Sequence, residues 1–360
     1  MKIIFSGGGT LGPVIPLLEI ARVAKNHNPK TECLWIGTKN GPERAVVEAA
    51  GLGFLMIGAG KWRRYLSFWN FIDIFKIIIA FFQSIFLLIH ERPDLLVSAG
   101  GFVSVPLHYA AGMLGIPTWV HQQDITPGLA NRLMVPIAKK VTTALQETAA
   151  KFPVRKTEWI GNPSRELHFS DRAAARRQFG IPPDAEAVIF ALGGGTGSSI
   201  INQMIIEGLS GWPHSWHVLH LTGKERPGEL SERASNTFPN YHVYKFFTTE
   251  MAAAYAAADI VIARAGFVTL TELAALAKPA VIVPMSGTHQ EENARFFASR
   301  HGVATLREET EGGLKLVQIT KNLMQHPAER QALGDRLHNL LPRASEEKIY
   351  NIICTLTGAL

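Results

Sequence analysis

Two cysteines in 360 residues, Cys33 and Cys354, provide neither a disulfide framework nor a thiolate cluster, so a reducing compartment is the default reading. No Asp-x-Asp pair occurs, and no His, Cys, Asp or Glu set has metal-ligand spacing, which argues against a metal-held diphosphate. No lysine follows the glycines of 193–197, so a P-loop is missing. "WIGTKN" (35–40), at the end of a predicted second strand, has no carboxylate for a dinucleotide ribose. No stretch interleaves aromatic and basic residues in the manner of a nucleic-acid surface, and the opening "MKIIFS" has too short an apolar run for a signal peptide.

The long apolar run "YLSFWNFIDIFKIIIAFFQSIFLLI" (65–89) is also not a membrane span. Asp73 and Lys76 lie inside it, each costing about 2.5–3.5 kcal/mol near a bilayer centre. A span would also put the glycines near Gly7 and Gly100 on opposite sides of a membrane, although one sheet needs them together. The run reads as a crossover helix, partly buried, with Asn70, Asp73, Ala80 and Ser84 on one narrow stripe and Trp69, Phe75, Phe82 and Phe86 elsewhere. Its apolar face is expected to dip into an anionic headgroup region, flanked by Lys61, Arg63 and Arg64, making 61–89 a peripheral membrane surface. The charge balance agrees, since residues 1–160 hold 17 Lys and Arg against 10 Asp and Glu, while residues 161–360 hold 19 against 20.

What the chain does have is a repeated glycine turn. "IIFSGGGTLG" (3–12) returns as "VIFALGGGTG" (188–197), each an apolar strand running into glycines and then a helical pattern. Further strands are predicted at Cys33–Gly37, Leu95–Ser98 and Thr118–His121, and at His217–Leu221, Ile260–Ala263 and Ala280–Pro284. Helical patterns separate them, which predicts an α/β protein of two parallel-sheet units. "WIGNPSR" (159–165) is the natural hinge, dividing 1–162 from 163–344. The carboxyl ends of both sets of strands are expected to face a cleft, where open parallel sheets bind ligands.

Three strand-to-helix turns are candidate anion sites: Gly7–Gly12, "SAGGFVSVP" (98–106) with Gly100 and Gly101, and "ARAGFVTLTE" (263–272) with Gly266. Hydroxyls at Thr10, Thr196 and Thr269 stand beside the glycines, and three such sites suggest two diphosphates.

These residues carry a resemblance. In order, "GGTLGPVIP" (8–16), "GGFVSVP" (100–106), "HQQDITPGLAN" (121–131), "GNPSR" (161–165), "GGGTG" (193–197), "MAAAYAAADIVIARAGFVTLTE" (251–272) and "THQEENA" (288–294) resemble the MurG family of glycosyltransferase family 28. The resemblance implies a GT-B fold, two Rossmann-like parallel-sheet domains facing a central cleft. It also implies a metal- and cofactor-independent transfer of N-acetylglucosamine from UDP-GlcNAc to a lipid-linked muramyl-peptide on the cytoplasmic face of the cell membrane. The terminal stretch 345–360 is then expected to pack back on the first domain.

By position, the resemblance puts UDP phosphates on Gly266, Phe267, Val268 and Thr269, ribose on Glu272, uracil against Phe247 and sugar hydroxyls on Gln290 and Asn293. Arg165, Gly195 and Thr196 join the donor side. Thr10, Leu11, Gly12, Gly100, Gly101 and Asn131 line the acceptor side. The departures matter equally. The first loop of the family usually ends Gly-Gly-His and here reads Leu11-Gly12-Pro13; Gln122 and Asp124 stand where Glu and Asn are usual after His121. Pro13 cannot take a proton. Asp124 is the first candidate for the general base and His121 the second, although "DITPG" is also an Asx-turn sequence. A transfer to another lipid, and a UDP-sugar-binding scaffold without turnover, are the alternative readings.

Overall fold

The structure, a computed structural model, describes the chain except Thr10, Asn40, 59–67, 168–170, Thr248, Glu309 and 359–360, together with the side chains of 68–75 and of Leu230. Lys61, Arg63 and Arg64 therefore lie outside the described residues. The chain divides into two compact units, Met1–Arg165 with Arg343–Leu360, and Glu166–Pro342.

In the first unit strands and helices alternate: β1 (Lys2–Ser6), α1 (Val14–His27), β2 (Glu32–Gly37), α2 (Glu43–Ala49), β3 (Gly53–Met56), α3 (Phe68–Glu91) and β4 (Leu95–Ser98). Then come α4 (Ser104–Met113), β5 (Thr118–Gln122), α5 (Leu129–Met134), β6 (Lys140–Thr143), α6 (Gln146–Ala149) and β7 (Thr157–Trp159). The sheet is wholly parallel in the order β3-β2-β1-β4-β5-β6-β7. The order reverses at β1 and β4, so the loops following these strands diverge around one point, where such sheets bind ligands.

The second unit repeats the plan with α7 (Arg172–Gln178), β8 (Ala187–Leu192), α8 (Ser199–Gly208), β9 (Trp216–Leu221), α9 (Glu229–Thr237), β10 (Tyr241–Tyr244) and α10 (Met251–Ala257). It continues with β11 (Ile260–Ala263), α11 (Phe267–Ala275), β12 (Ala280–Ile282), α12 (His289–Ala298), β13 (Ala304–Thr305), α13 (Gly313–Gln325) and α14 (Pro327–Leu340). Its parallel sheet has the order β10-β9-β8-β11-β12-β13, with the reversal between β8 and β11. The apolar runs that announced these strands are buried on both faces, as in Ile3-Ile4-Phe5 and in Ala187 to Leu192.

The last helix, α15 (Glu346–Thr357), belongs to the first unit. Ile349, Ile352 and Ile353 enter the same core as Ile3, Leu17 and Leu95, each burial contributing about 1.5–3 kcal/mol. Polar contacts fix its approach: Arg343 donates to Ser164 O at 2.9 Å and to Glu19 at 2.9 Å, and Arg22 bridges Glu19 and Glu346.

Among the described residues no helix is long and apolar enough to cross a membrane. α3 packs one face on the protein, where Ala80, Ser84 and Leu88 are buried; the small residues allow close approach, and the Ser84 hydroxyl is satisfied by Ala80 O at 2.6 Å. The opposite face leaves Ile78, Ile79, Phe82, Phe86 and Ile89 exposed, Phe82 by 63% and Phe86 by 76%. The small stripe inferred from sequence is thus the buried side where its side chains are described.

Candidate functional site

In the first unit, Gly101, with φ +96°, lies so close to Gly8 that a Cβ would come within 2.9 Å of Gly8 N. The loops after β1 and β4 meet backbone to backbone, which only glycine at 101 permits. Trp35, fully buried on β2, donates its indole N–H to Gly7 O at 3.1 Å. Below the turn lies Glu43, also fully buried. Its Oε2 accepts from Gly9 N at 3.3 Å, and its Oε1 from Thr38 N at 2.7 Å and Thr38 Oγ1 at 2.5 Å. One amide of the opening loop is therefore bound to the chain's own carboxylate. Leu11 packs against the core, Gly12 is exposed, and Thr10 lies outside the described residues. Pro13 is the N-cap of α1, with φ −69° and no side-chain capping hydrogen bond.

β5 delivers His121, Gln122, Gln123 and Asp124. His121 is fully buried and both ring nitrogens are engaged: Thr142 Oγ1 lies 2.9 Å from Nδ1 and Asn162 Oδ1 2.9 Å from Nε2. Asn162 Oδ1 can only accept, so Nε2 is the donor and Nδ1 accepts from the Thr142 hydroxyl, which itself accepts from Trp119 Nε1 at 2.8 Å. Burial pushes its pKa down to about 4, against a smaller upward effect from Asn162. His121 presents no lone pair to a substrate, which corrects its place as second candidate base. Asp124 is half-buried at the strand's carboxyl end.

Asn131 is also buried. Its Nδ2 donates to His121 O at 3.2 Å and to Gln122 Oε1 at 2.6 Å, while Oδ1 has no hydrogen-bond partner among the described residues and would lie 3.5 Å from a Cβ on Gly100 (φ +112°). Gln123 Nε2 ties this loop to the first one through Gly12 O at 3.1 Å. Arg165 is half-buried at the end of the unit's first segment.

In the second unit, Gly197 (φ +82°) and Gly223 (φ +98°) pack backbone to backbone, leaving Gly195 and Thr196 exposed on the turn before α8. α11 has Gly266 (φ −68°, ψ 133°) as its N-cap, with no side-chain capping hydrogen bond and no acidic residue in the first turn. Its first intrahelical bond is Leu270 N to Gly266 O at 3.0 Å, so the amides of Phe267, Val268 and Thr269 precede the ladder and carry the helix's positive end. Val268 and Thr269 are half-buried; Phe267 turns inward toward Phe297, with ring centroids 6.3 Å apart. One turn later, the buried Glu272 accepts from Tyr255 OH at 2.9 Å through Oε2.

Two donor-side expectations change. Phe247 is buried within a cluster of Phe179, Phe190 and Tyr244, its centroid 5.3, 6.5 and 5.0 Å from theirs, so its ring offers no face to a base. The exposed ring is its neighbour Phe246, with Lys224 Nζ 4.0 Å from the centroid. Gln290 and Asn293 do not form one outward pair: Gln290 Oε1 accepts from Met285 N at 3.2 Å, but Asn293 is fully buried and donates to Ala265 O at 3.2 Å. Asn293 thus anchors the turn leading into α11.

Sequence reasoning also missed Arg264. Its Nη1 donates to Val283 O and Pro284 O, both at 3.1 Å, and to Glu308 Oε2 at 2.5 Å. Glu308 in turn accepts from Ser286 N at 2.7 Å; although burial raises its pKa, Ser286 and Arg264 together hold it below the ordinary value. This pair joins the turn before α11 to the turn before α12. The signal for Arg264 was its place directly after β11; Glu43 carried none beyond a carboxylate soon after a strand. Among the described residues no group of three or more His, Cys, Asp or Glu side chains could hold a metal ion.

The comparisons with known proteins match this layout. Residues 3–143 match the glycosyltransferase family 28 N-terminal domain and residues 188–347 its C-terminal domain. A Clostridium kluyveri protein named UDP-N-acetylglucosamine--N-acetylmuramyl-(pentapeptide) pyrophosphoryl-undecaprenol N-acetylglucosamine transferase is 38% identical over 286 residues, 79% of each chain. A Staphylococcus carnosus protein of the same name is 32% identical over 349 residues, 95% of this chain and 94% of its own. The crystal structure of Acinetobacter baumannii MurG superposes with a TM-score of 0.77 at 24% identity, covering 98% of this chain and 99% of that one, and shows the same fold. With two Rossmann-like parallel-sheet domains of the GT-B class and both halves of the family signature, this chain belongs to glycosyltransferase family 28.

Proposed function

We propose that this glycosyltransferase moves N-acetylglucosamine from UDP-GlcNAc to an undecaprenyl-pyrophosphoryl muramyl-peptide, with inversion at the anomeric carbon and without a metal ion. The names of the relatives support the substrates. The observation that carries the donor side is the uncapped start of α11, with Glu272 held by Tyr255 one turn further on. Its open amides and helix dipole suit the diphosphate that leaves as UDP, supplying the charge stabilisation a cation gives elsewhere. Glu272 takes the ribose hydroxyls, Gln290 a sugar hydroxyl, and Arg165 adds positive charge. On the acceptor side Asp124 removes the proton from the attacking hydroxyl.

The exposed face of α3 supports attachment to an anionic membrane on its cytoplasmic side, where a polyprenyl-linked acceptor is held. α4 packs beside α3 and α5 beside α4, and they add exposed Met113 and Leu133, widening the apolar surface. The test is transfer of label from UDP-GlcNAc to the lipid-linked acceptor in detergent, with and without EDTA. Product formation unaffected by EDTA is expected. Label released only as free sugar, or dependence on added divalent ion, contradicts the reading.

A further inference from the structure

Side-chain donors occupy three successive carbonyls in the loop after β5. Gln122 Nε2 donates to Asp124 O at 2.8 Å and to Thr126 O at 3.5 Å, and Lys151 Nζ donates to Ile125 O at 2.7 Å. The other end of the Gln122 amide accepts from Asn131 Nδ2 at 2.6 Å. Gln122 is 2% exposed, so water cannot replace these partners. Its orientation is fixed by them: the nitrogen faces carbonyls and the oxygen faces an amide N–H. Glutamine carries a neutral donor and acceptor at every pH on a side chain of this length, whereas an ionised glutamate would set a lone pair against Asp124 O and Thr126 O.

We infer that Gln122 is a positioning residue for the transfer, setting the main chain of 124–126 and hence the place of the Asp124 carboxylate. This rests on the reading of Asp124 as the base. The ionisable groups around Gln122 are His121, whose ring nitrogens are both engaged; Asp124 itself; and Lys151, committed to Ile125 O. In a Gln122→Glu variant, burial raises the introduced carboxyl's pKa. Protonated, it keeps an O–H for Asp124 O. Ionised, it repels that carbonyl and adds a negative charge near Asp124.

The experiment measures kcat and both KM values of the full chain from pH 5.5 to 8.5, with UDP-GlcNAc and lipid-linked acceptor. For Gln122→Glu, the kcat relative to the unaltered enzyme should fall to about one-hundredth at the alkaline end and recover at least tenfold at the acid end. The KM for UDP-GlcNAc stays within about twofold, because the start of α11, Glu272 and Gln290 lie in the other unit. Gln122→Met, which removes donor and acceptor together, should lose kcat by a similar factor at every pH. A Gln122→Glu profile parallel to the unaltered enzyme, or a normal kcat in Gln122→Met, overturns the inference. Asp124→Asn is run alongside. Full turnover there overturns the reading of Asp124 and this inference with it; impaired Asp124→Asn beside intact Gln122→Met overturns the inference alone.

Discussion

Glu43 Oε2 accepts the amide hydrogen of Gly9 at 3.3 Å, so the first glycine turn closes on a carboxylate supplied by α2. The fit is tight, because a Cβ on Gly8 would lie 2.4 Å from Glu43 Oε1 and one on Gly41 1.9 Å from Oε2. Removing the carboxylate strands the Gly9 and Thr38 amides, at about 1–3 kcal/mol for each group left unpaired. Glu43→Ala is therefore expected to lower the urea midpoint of unfolding. It should also raise the acceptor KM while UDP affinity, measured by calorimetry, stays unchanged. An unaltered acceptor KM would separate this loop from acceptor binding.

Histidines whose pKa is pushed down in both units make stability depend on pH. Burial pushes His108 and His121 down to about 4 in the first unit, and in the second His220 to about 3 and His242 to about 4, from an ordinary 6.5. The unfolded chain binds these protons first. Their contribution is complete above pH 6.5 and is lost as pH falls toward 4, with a slope of up to about 1.4 kcal/mol per pH unit for each histidine. Calorimetric unfolding temperatures should drop between pH 6.5 and 5, before most carboxylates titrate. A flat curve in that window would contradict neutral, buried imidazoles.

The strands were legible because both faces of a parallel sheet are buried, so each reads as an uninterrupted apolar run; Leu95–Ser98 and Ile260–Ala263 fall where the sequence predicts. Side-chain destinations were much less legible. Phe246 and Phe247 are identical neighbours, yet one is exposed and the other joins Phe179, which is 68 positions away from it in sequence. His121 looks like a strand-end base until Asn162, from beyond β7, takes its second nitrogen. Gly9 looks open to a phosphate until Glu43, from α2, reaches it. Each of these contacts is set by tertiary packing between residues far apart in sequence, which periodicity does not report.

The donor site is expected to follow Tyr255 as well as Glu272. The Tyr255 hydroxyl contacts one carboxylate oxygen at 2.9 Å, so the geometry proposed for ribose binding depends on a residue from α10. Glu272→Ala should weaken UDP binding about tenfold or more, and Tyr255→Phe by a smaller factor, since the carboxylate remains but loses its aim. Thr269→Val removes a hydroxyl at the start of α11 and should also weaken UDP. Titration calorimetry with UDP checks all three. Unchanged affinity in Glu272→Ala would remove the donor assignment.

Asp124→Asn keeps the size of the side chain and its ability to make an Asx turn, but removes the carboxylate proposed as the proton acceptor. Turnover should fall about 10²-fold or more with UDP affinity unchanged. His121→Asn, by contrast, breaks a buried chain of hydrogen bonds from Trp119 to Asn162, and its main effect should be on the unfolding temperature. Measured together, the two variants distinguish a chemical from a structural role at the carboxyl end of β5.

The apolar face of α3 makes a prediction separate from catalysis. Ile78, Ile79, Phe82, Phe86 and Ile89 form an exposed row while Ala80, Ser84 and Leu88 are buried and Leu88 packs with Ile4, Ile36 and Leu96 of the sheet, so the outer residues can be changed without opening the core. Phe82→Asp with Phe86→Asp removes two large apolar side chains and adds two negative charges facing an anionic surface, opposing insertion on both counts. Co-sedimentation with vesicles containing anionic phospholipid should fall at least tenfold, while UDP affinity and unfolding temperature stay at the unaltered values. Loss of binding in high salt alone, with the double variant still bound at low salt, would assign attachment to basic residues and remove α3 from the membrane surface.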